Sequence, residues 1–330
     1  MTGRIRFALT IAAGALSACA AVLGLEDGIE REAGAPIAPP DAAPDAARDA
    51  VTPEAGPTGC DVSKPFGAPA PLSALNVVAA IDAHVRFTAD ERIAFFQSNR
   101  SGGVGQNDLY TATRLTRADP FGAPTSLAPL NTIFEERDPS PSADGLSLYY
   151  TSRGKSLVGE FGIVVATRAK LTDPFGSAVS VAGLKSTGSD FAPYDLGAMV
   201  GVLLSSTRGS ADGGVSNLFV AAPIDGGFAS PTPYDGKTSL SDDRFGAMTA
   251  DRLTLYFSSS RAGGKGKGDV WVTTRPSTAA QSTWSTPVAV AELNSADDDF
   301  PDWVSADRCR LYLTSDRTGD RDVYVATRTP

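Results

Sequence analysis

The sequence predicts an all-β fold whose main domain is a five-bladed β-propeller closed by an N-terminal strand. Three observations carry this expectation. A module of about 54 residues recurs five times between Cys60 and the C-terminus. An arginine ending the second segment of each copy returns as Arg100, Arg153, Arg208, Arg261 and Arg317, at intervals of 53, 55, 53 and 56 residues. A fourth segment follows each of the first four copies, is absent after Arg328, and stands instead ahead of the first copy.

Each copy holds three strand signals, shown by DDRFGAMTADRLTLYFSSSRAGGKGKGDVWVTTR (242–275). Alternating β-branched and aromatic residues bounded by Asp-Gly, Gly-Gly or Asp-Arg are the mark of half-buried antiparallel strands. The fourth strands are PFGAPTSLAPLN (120–131), PFGSAVSVAGLK (174–185), GFASPTPYDGK (227–237) and TWSTPVAVAELN (283–294). Four strands per repeat make a propeller blade. The blades are expected at 81–131, 135–185, 189–238, 242–294 and 298–328, the last completed by PFGAPAPLSALN (65–76). That borrowed strand closes the ring and removes two exposed sheet edges.

The N-terminus reads as an export signal. Arg4 and Arg6 precede an apolar run from Phe7 to Leu16, too short to span roughly 30 Å of hydrocarbon. Residues 1–18 are therefore predicted to be cleaved. Leu16-Ser17-Ala18-Cys19 resembles the lipobox of bacterial lipoproteins, which implies a lipidated Cys19, and Ala20 after it implies outer-membrane sorting. Residues 19–59 mix Ala, Pro, Asp and Gly without apolar periodicity, so they cannot bury enough surface to offset their ordering entropy. A disordered tether of that length would reach roughly 35 Å.

Charge and rare residues exclude several classes. The net charge of −9 argues against nucleic acid, whose binding needs a basic footprint, and against an anionic membrane surface. Contact with a membrane is expected through the lipid anchor only. One histidine, His84, rules out a His-rich zinc site, and no Gly-x-Ser-x-Gly elbow accompanies it. Once Cys19 is lipidated two cysteines remain, an even number that invites a disulfide in an oxidising compartment. Cys60 leads into the closing strand, and Cys309 begins the second strand of blade 5. In an antiparallel blade those strands begin at the same end, so a Cys60–Cys309 bridge is expected.

The pattern in PSPSADGLSLYYTSRG of blade 2 and PDWVSADRCRLYLTSDR of blade 5, followed by DVYVATR, resembles the WD40-like propeller repeat of the TolB type. The match covers about 250 residues. The resemblance implies an envelope-associated scaffold that binds a protein or a cell-wall component. TolB itself has six blades and an added α/β domain, where this sequence has five repeats.

One acid recurs in every copy, eight positions before Asp90, Asp144, Ala198, Asp251 and Asp307: Asp82, Glu136, Asp190, Asp243 and Asp299. Glu135, Asp242 and Asp298 precede three of them. These acids stand at the start of the innermost strand and are expected to ring one mouth of the channel. Three readings are open. The acids bond neighbouring turns or the repeated arginines, they hold Ca²⁺, or two of them hydrolyse glycosides. His84, Arg86, Tyr194, Phe245 and Trp303 align near the same mouth, either as contacts for a sugar ring or a protein loop or, equally, as inter-blade packing. The repeated arginines are expected to pair within blades with Asp108, Asp269 and Asp322, and RAGGKGKGD (261–269) to form a mobile hairpin tip. No catalytic residue is assigned. The expected function is that of a monomeric, non-enzymatic binding propeller, with Ca²⁺ the one cofactor its acids would admit; a glycosidase or lectin is the alternative.

Overall fold

The computed structural model describes residues 59–154, 161–210, 214–235, 239–279 and 281–330. The expected signal, Cys19 and all of the expected tether before Gly59 lie outside them. Five four-stranded antiparallel sheets are arranged as a five-bladed β-propeller. The innermost strands are Asp82–Phe87, Glu136–Pro141, Asp190–Asp195, Asp243–Met248 and Asp299–Val304. Each pairs with a second strand, Ile93–Ser98, Ser147–Ser152, Val202–Ser206, Thr254–Ser259 or Arg310–Ser315. The third strands are Asp108–Thr113, Gly162–Thr167, Asn217–Ala221, Asp269–Thr274 and Asp322–Thr327.

The outermost strands are only two residues long: Thr125–Ser126, Val179–Ser180, Thr232–Pro233 and Val288–Ala289. In blade 5 this place is taken by Ala70–Pro71, with Ala70 opposite Val325 and Pro71 opposite Tyr324. Proline lacks the N–H that a further neighbour would need and is confined to sheet edges, so Pro71 and Pro233 suit an outer rim. An extra hairpin, Pro223–Ile224 with Gly227–Phe228, precedes the outer strand of blade 3.

Two side-chain contacts repeat around the rim and recur at the ring closure. An asparagine just after the outer strand accepts from the third strand's backbone: Leu109 N–H donates to Asn131 Oδ1, Val270 N–H to Asn294 and Val323 N–H to Asn76. An arginine ending the third strand covers an aromatic ring: Arg114 over Phe121, Arg168 over Phe175, Arg275 over Trp284 and Arg328 over Phe66. Asn76 and Phe66 thus do for blade 5, from the far end of the chain, what local residues do elsewhere.

The apolar core lies between blades. One cluster joins Tyr256 and Val270 of blade 4 to Leu311 and Leu313 of blade 5, and another joins Phe87 and Phe96 of blade 1 to Tyr312 and Val323 of blade 5. Burying each large side chain contributes roughly 1.5–3 kcal/mol, so the sheets hold one another in place. Buried Glu91 adds an ionic contact at the closing interface, accepting from Arg310 Nη2 at 2.8 Å and Tyr312 Oη at 3.1 Å.

Cys60 and Cys309 form a disulfide with Cα atoms 5.7 Å apart, across a sequence separation of 249. It fixes the lead of the closing strand to blade 5, beside the bond from Asp61 N–H to the Thr329 carbonyl. A cross-link over so long a loop restricts the unfolded chain strongly. Replacing both cysteines with serine is expected to lower stability in urea denaturation by ~2–5 kcal/mol, with fraying that starts at the closing strand in hydrogen exchange.

Candidate functional site

The centre of the ring is shaped by a β-bulge two residues after each acid. The pairing register shifts between Ala83 and Arg86, Arg137 and Ser140, Phe191 and Tyr194, and Arg244 and Ala247. His84, Asp138, Ala192 and Phe245 take φ values of 56°, 52°, 49° and 55°, a left-handed conformation uncommon outside glycine. Each is held by the blade before it. His84 N–H donates to Thr314 Oγ1 at 2.8 Å, Asp138 to Gln97 Oε1 at 2.9 Å, Ala192 to Thr151 Oγ1 at 3.0 Å and Phe245 to Ser205 Oγ at 3.0 Å. In blade 5 the position is Pro301, which has no N–H and a fixed negative φ. There the shift falls one residue later, at Asp302.

Bulges re-aim side chains, and here they converge on the axis. His84 and Phe245, from blades that are not neighbours, stack with ring centroids 4.4 Å apart and planes 8° from parallel. Phe300 packs against Phe245 at 4.9 Å. His84 Nδ1 lies 3.1 Å from Asp302 Oδ1, and Nε2 lies 3.8 Å from Asp138 Oδ1. Thr314 donates to Asp302, and Thr151 to Asp138. Burial pushes the Asp302 carboxyl up, against the hydrogen bond from His84. The middle of the channel is therefore filled.

The recurrent acids are buried and engaged within their own blades. Asp82 accepts from Arg100 Nη2 and from Val77 N–H, both at 2.6 Å. Asp190 accepts from Arg208 at 2.6 Å, Asp243 from Arg261 at 2.7 Å and Asp299 from Arg317 at 2.6 Å. Glu136 accepts from Thr132 N–H at 2.8 Å, and its burial pushes its carboxyl up. Asp82, Glu136, Asp190 and Asp299 also accept an N–H from the turn preceding their own strands, so the five carboxylates are each engaged separately and are not brought together as a ligand group. Among the described residues no group of three or more His, Cys, Asp or Glu is placed to hold a metal ion.

Two related expectations need correction. The repeated arginines close on the acids 18 residues before them, except Arg153, which lies 3.8 Å from Glu135. Asp108 and Asp269 instead accept N–H groups from the hairpins before them, Val104 in one and Lys265 in the other. A Cβ on Gly103 or Gly264 would come within 2.1 or 1.9 Å of those carboxylates, so the glycines permit a close wrap. The RAGGKGKGD tip is pinned as well, with Lys265 Nζ donating to the Ala291 carbonyl at 2.7 Å.

Arg86, Tyr194 and Trp303 each stand four residues after an acid. Four residues of extended strand traverse about 13 Å, so these three line the opposite mouth, while His84 and Phe245 form the plug. A cavity of about 240 Å³ opens there, with walls from all five blades, among them Arg86, Ser140, Tyr194, Asp195, Met248 and Trp303. Tyr194 Oη donates to the Met248 carbonyl at 3.1 Å. Burial, reinforced by Asp144, raises the Asp195 carboxyl to about 6. Sequence reasoning missed Asp195, although a signal existed: at five residues after the acid the other blades carry Phe87, Pro141, Met248 and Val304, and this is the one carboxylate among them.

No known family profile matches the chain, and no curated protein matches it. Solved structures similar to it include both TolB and glycoside hydrolase propellers. TolB from Acinetobacter baumannii aligns with a TM-score of 0.42 at 14% identity, over 75% of this chain and 55% of its own length. The chain thus spans little more than half of that protein. A thermostable family-43 glycoside hydrolase gives 0.49 at 8% identity, over 76% of this chain and 89% of the other. An α-L-arabinofuranosidase from Podospora anserina, solved with cellotriose, gives 0.47 at 11% identity, over 83% and 98%.

Asp299→Ala would leave Arg317 without its buried partner and is expected to destabilise the fold by ~3 kcal/mol or more in urea denaturation. For Asp195 the sign is opposite. Its folded carboxyl retains a proton that the unfolded chain releases, so that contribution is present below the unfolded value and is lost as pH rises toward about 6. Asp195→Asn is expected to raise the melting temperature at neutral pH and to match the parent protein at acidic pH.

Proposed function

We propose that this chain is a binding propeller of the cell envelope that receives a segment of a partner protein in the cavity at the far mouth. The observation carrying this reading is that cavity. All five blades contribute to it, Arg86 of its lining bonds across the ring from blade 1 to the Pro193 carbonyl of blade 3, and its lining is mainly apolar, with Tyr194, Met248 and Trp303 around it. A floor fixed by contacts across the ring is a preorganised receptor, which lowers the ordering cost of binding. The TolB-type character of the repeats supports the same class of role. A lipid on Cys19 would tie this monomeric module to the membrane.

The carbohydrate-active alternative has one observation in its favour, the Asp195 carboxyl raised to about 6, a value suited to a general acid. A glycosidase of the usual kind needs two carboxyl groups about 5–9.5 Å apart beside the substrate. Asp195 is the only carboxylate in the cavity lining, and Asp138 and Asp302 are engaged with the plug.

Photo-crosslinkable residues separate these roles. Placed at Ala89, Ala143, Ala250 or Ala306, exposed positions lining the cavity, they are expected to give one discrete protein adduct in intact envelopes; placed at Val179 on the outer edge they should give none. Turnover of chromogenic glycosides that Asp195→Asn abolishes would replace this reading with the enzymatic one.

A further inference from the structure

Among the described residues Arg86 is the only buried cation, 2% exposed, and it has no carboxylate within ion-pair distance. Its Nε donates to the Asp302 carbonyl at 3.1 Å and its Nη1 to the Pro193 carbonyl. The guanidinium carbon sits 5.0 Å from the Tyr194 ring centroid. These neutral contacts, from blades 5 and 3, fix the group in orientation without neutralising it. Asp138 and Asp302 favour its charge from a distance, against the burial that opposes it, but both are committed to their own hydrogen bonds. Nη2 has no hydrogen-bond partner among the described residues, and Arg86 lines the cavity.

A buried guanidinium with a free donor matches a carboxylate, which accepts charge-assisted bonds in the plane of the fork. What surrounds it narrows the ligand. Leu196, Met248, Trp303 and Val304 offer apolar contact. Two hydroxyls lie nearby: Ser140 Oγ accepts from Asp195 N–H and keeps its own O–H to donate, while Thr249 Oγ1 is spent on Asp251. Few groups are left for the hydroxyls of a sugar.

We infer that the cavity takes a carboxylate carried on an apolar stretch of a partner polypeptide, an acidic side chain or a C-terminus, with Arg86 as its counter-ion. This rests on the reading of the cavity as a docking site. Asp195 works against it when ionised, because it lines the same space. It is faced by Arg86 and Arg252 across the cavity and by Tyr149 and Asp144 of blade 2, with Tyr194 beside it. Protonating Asp195 removes the repulsion, so carboxylate binding should strengthen as pH falls.

The test is calorimetry on the whole protein with benzoate, its neutral isostere benzamide, and glucuronate. Benzoate is expected to bind about tenfold or more tightly than benzamide and more tightly than glucuronate. Arg86→Gln should erase the difference between benzoate and benzamide. Asp195→Asn should tighten benzoate binding at neutral pH and flatten its pH dependence. Equal binding of benzoate and benzamide would overturn the inference, and preference for glucuronate would overturn the polypeptide partner. Should Arg86→Gln fail to fold, Asp195→Asn decides, and unchanged or weaker benzoate binding sinks the proposal. Failure of the carboxylate preference with the mouth crosslinks intact would remove the ligand chemistry alone; failure of both would remove the docking site.

Discussion

A ring of sheets has no stable partial form, because each blade buries one face against the next and the last must find the first. That closing interface is the constraint on which the remainder of the molecule rests. It is satisfied by Ala70–Pro71 pairing with Asp322–Thr327, by Phe66 beneath Arg328, by the Glu91 contacts to Arg310 and Tyr312, and by the Cys60–Cys309 bond. These contacts join segments about 250 residues apart, so their ordering entropy is recovered only when the whole ring is formed. Closure of this kind makes the fold cooperative and keeps the innermost strands in register with one another.

That register makes the bulges useful. A left-handed residue in one strand is held by a hydroxyl or amide of the blade before it, and the strain is shared around the circle instead of relaxing locally. His84 and Phe245 can then meet across the axis, and Arg86 can reach Pro193. The plug divides the channel into two faces with different chemistry. At the start of the innermost strands, pairs such as Arg244 with Asp242 and Arg321 with Asp298 leave a rim of balanced charge. At the other end the cavity walls are mainly apolar, with Arg86 buried, Asp195 and Arg252 half-buried, and exposed aspartates on the turns that follow, Asp90, Asp144, Asp251 and Asp307.

Much of the fold was legible in the sequence because the repeat is one-dimensional: a period, a displaced fourth segment and an acid in a fixed column all survive as spacing. The pairing of Asp82 with Arg100, or Asp299 with Arg317, was readable only as one of two options, since the hairpin acids Asp108 and Asp322 have equal claim on paper. The bulge was not legible, because His84, Asp138, Ala192 and Phe245 share no chemistry and its cause, a backbone bond to the adjacent blade, leaves no local mark. The two mouths were conflated for a related reason. Columns of an alignment record order along a strand, whereas the separation of Asp82 from Arg86 is a distance through the molecule. Asp195 was visible as a charged residue in an apolar column, but only the cavity gives that oddity a meaning.

Pro301 breaks the pattern at one place and so gives the circle an azimuth. Five equivalent blades would offer a visitor five equivalent poses. With the bulge delayed to Asp302, one blade alone supplies both the carbonyl that orients Arg86 and the carboxylate that meets His84. The rotational degeneracy inherited from duplication is lifted at the axis itself. Whatever docked there would meet a single geometry with a stoichiometry of one.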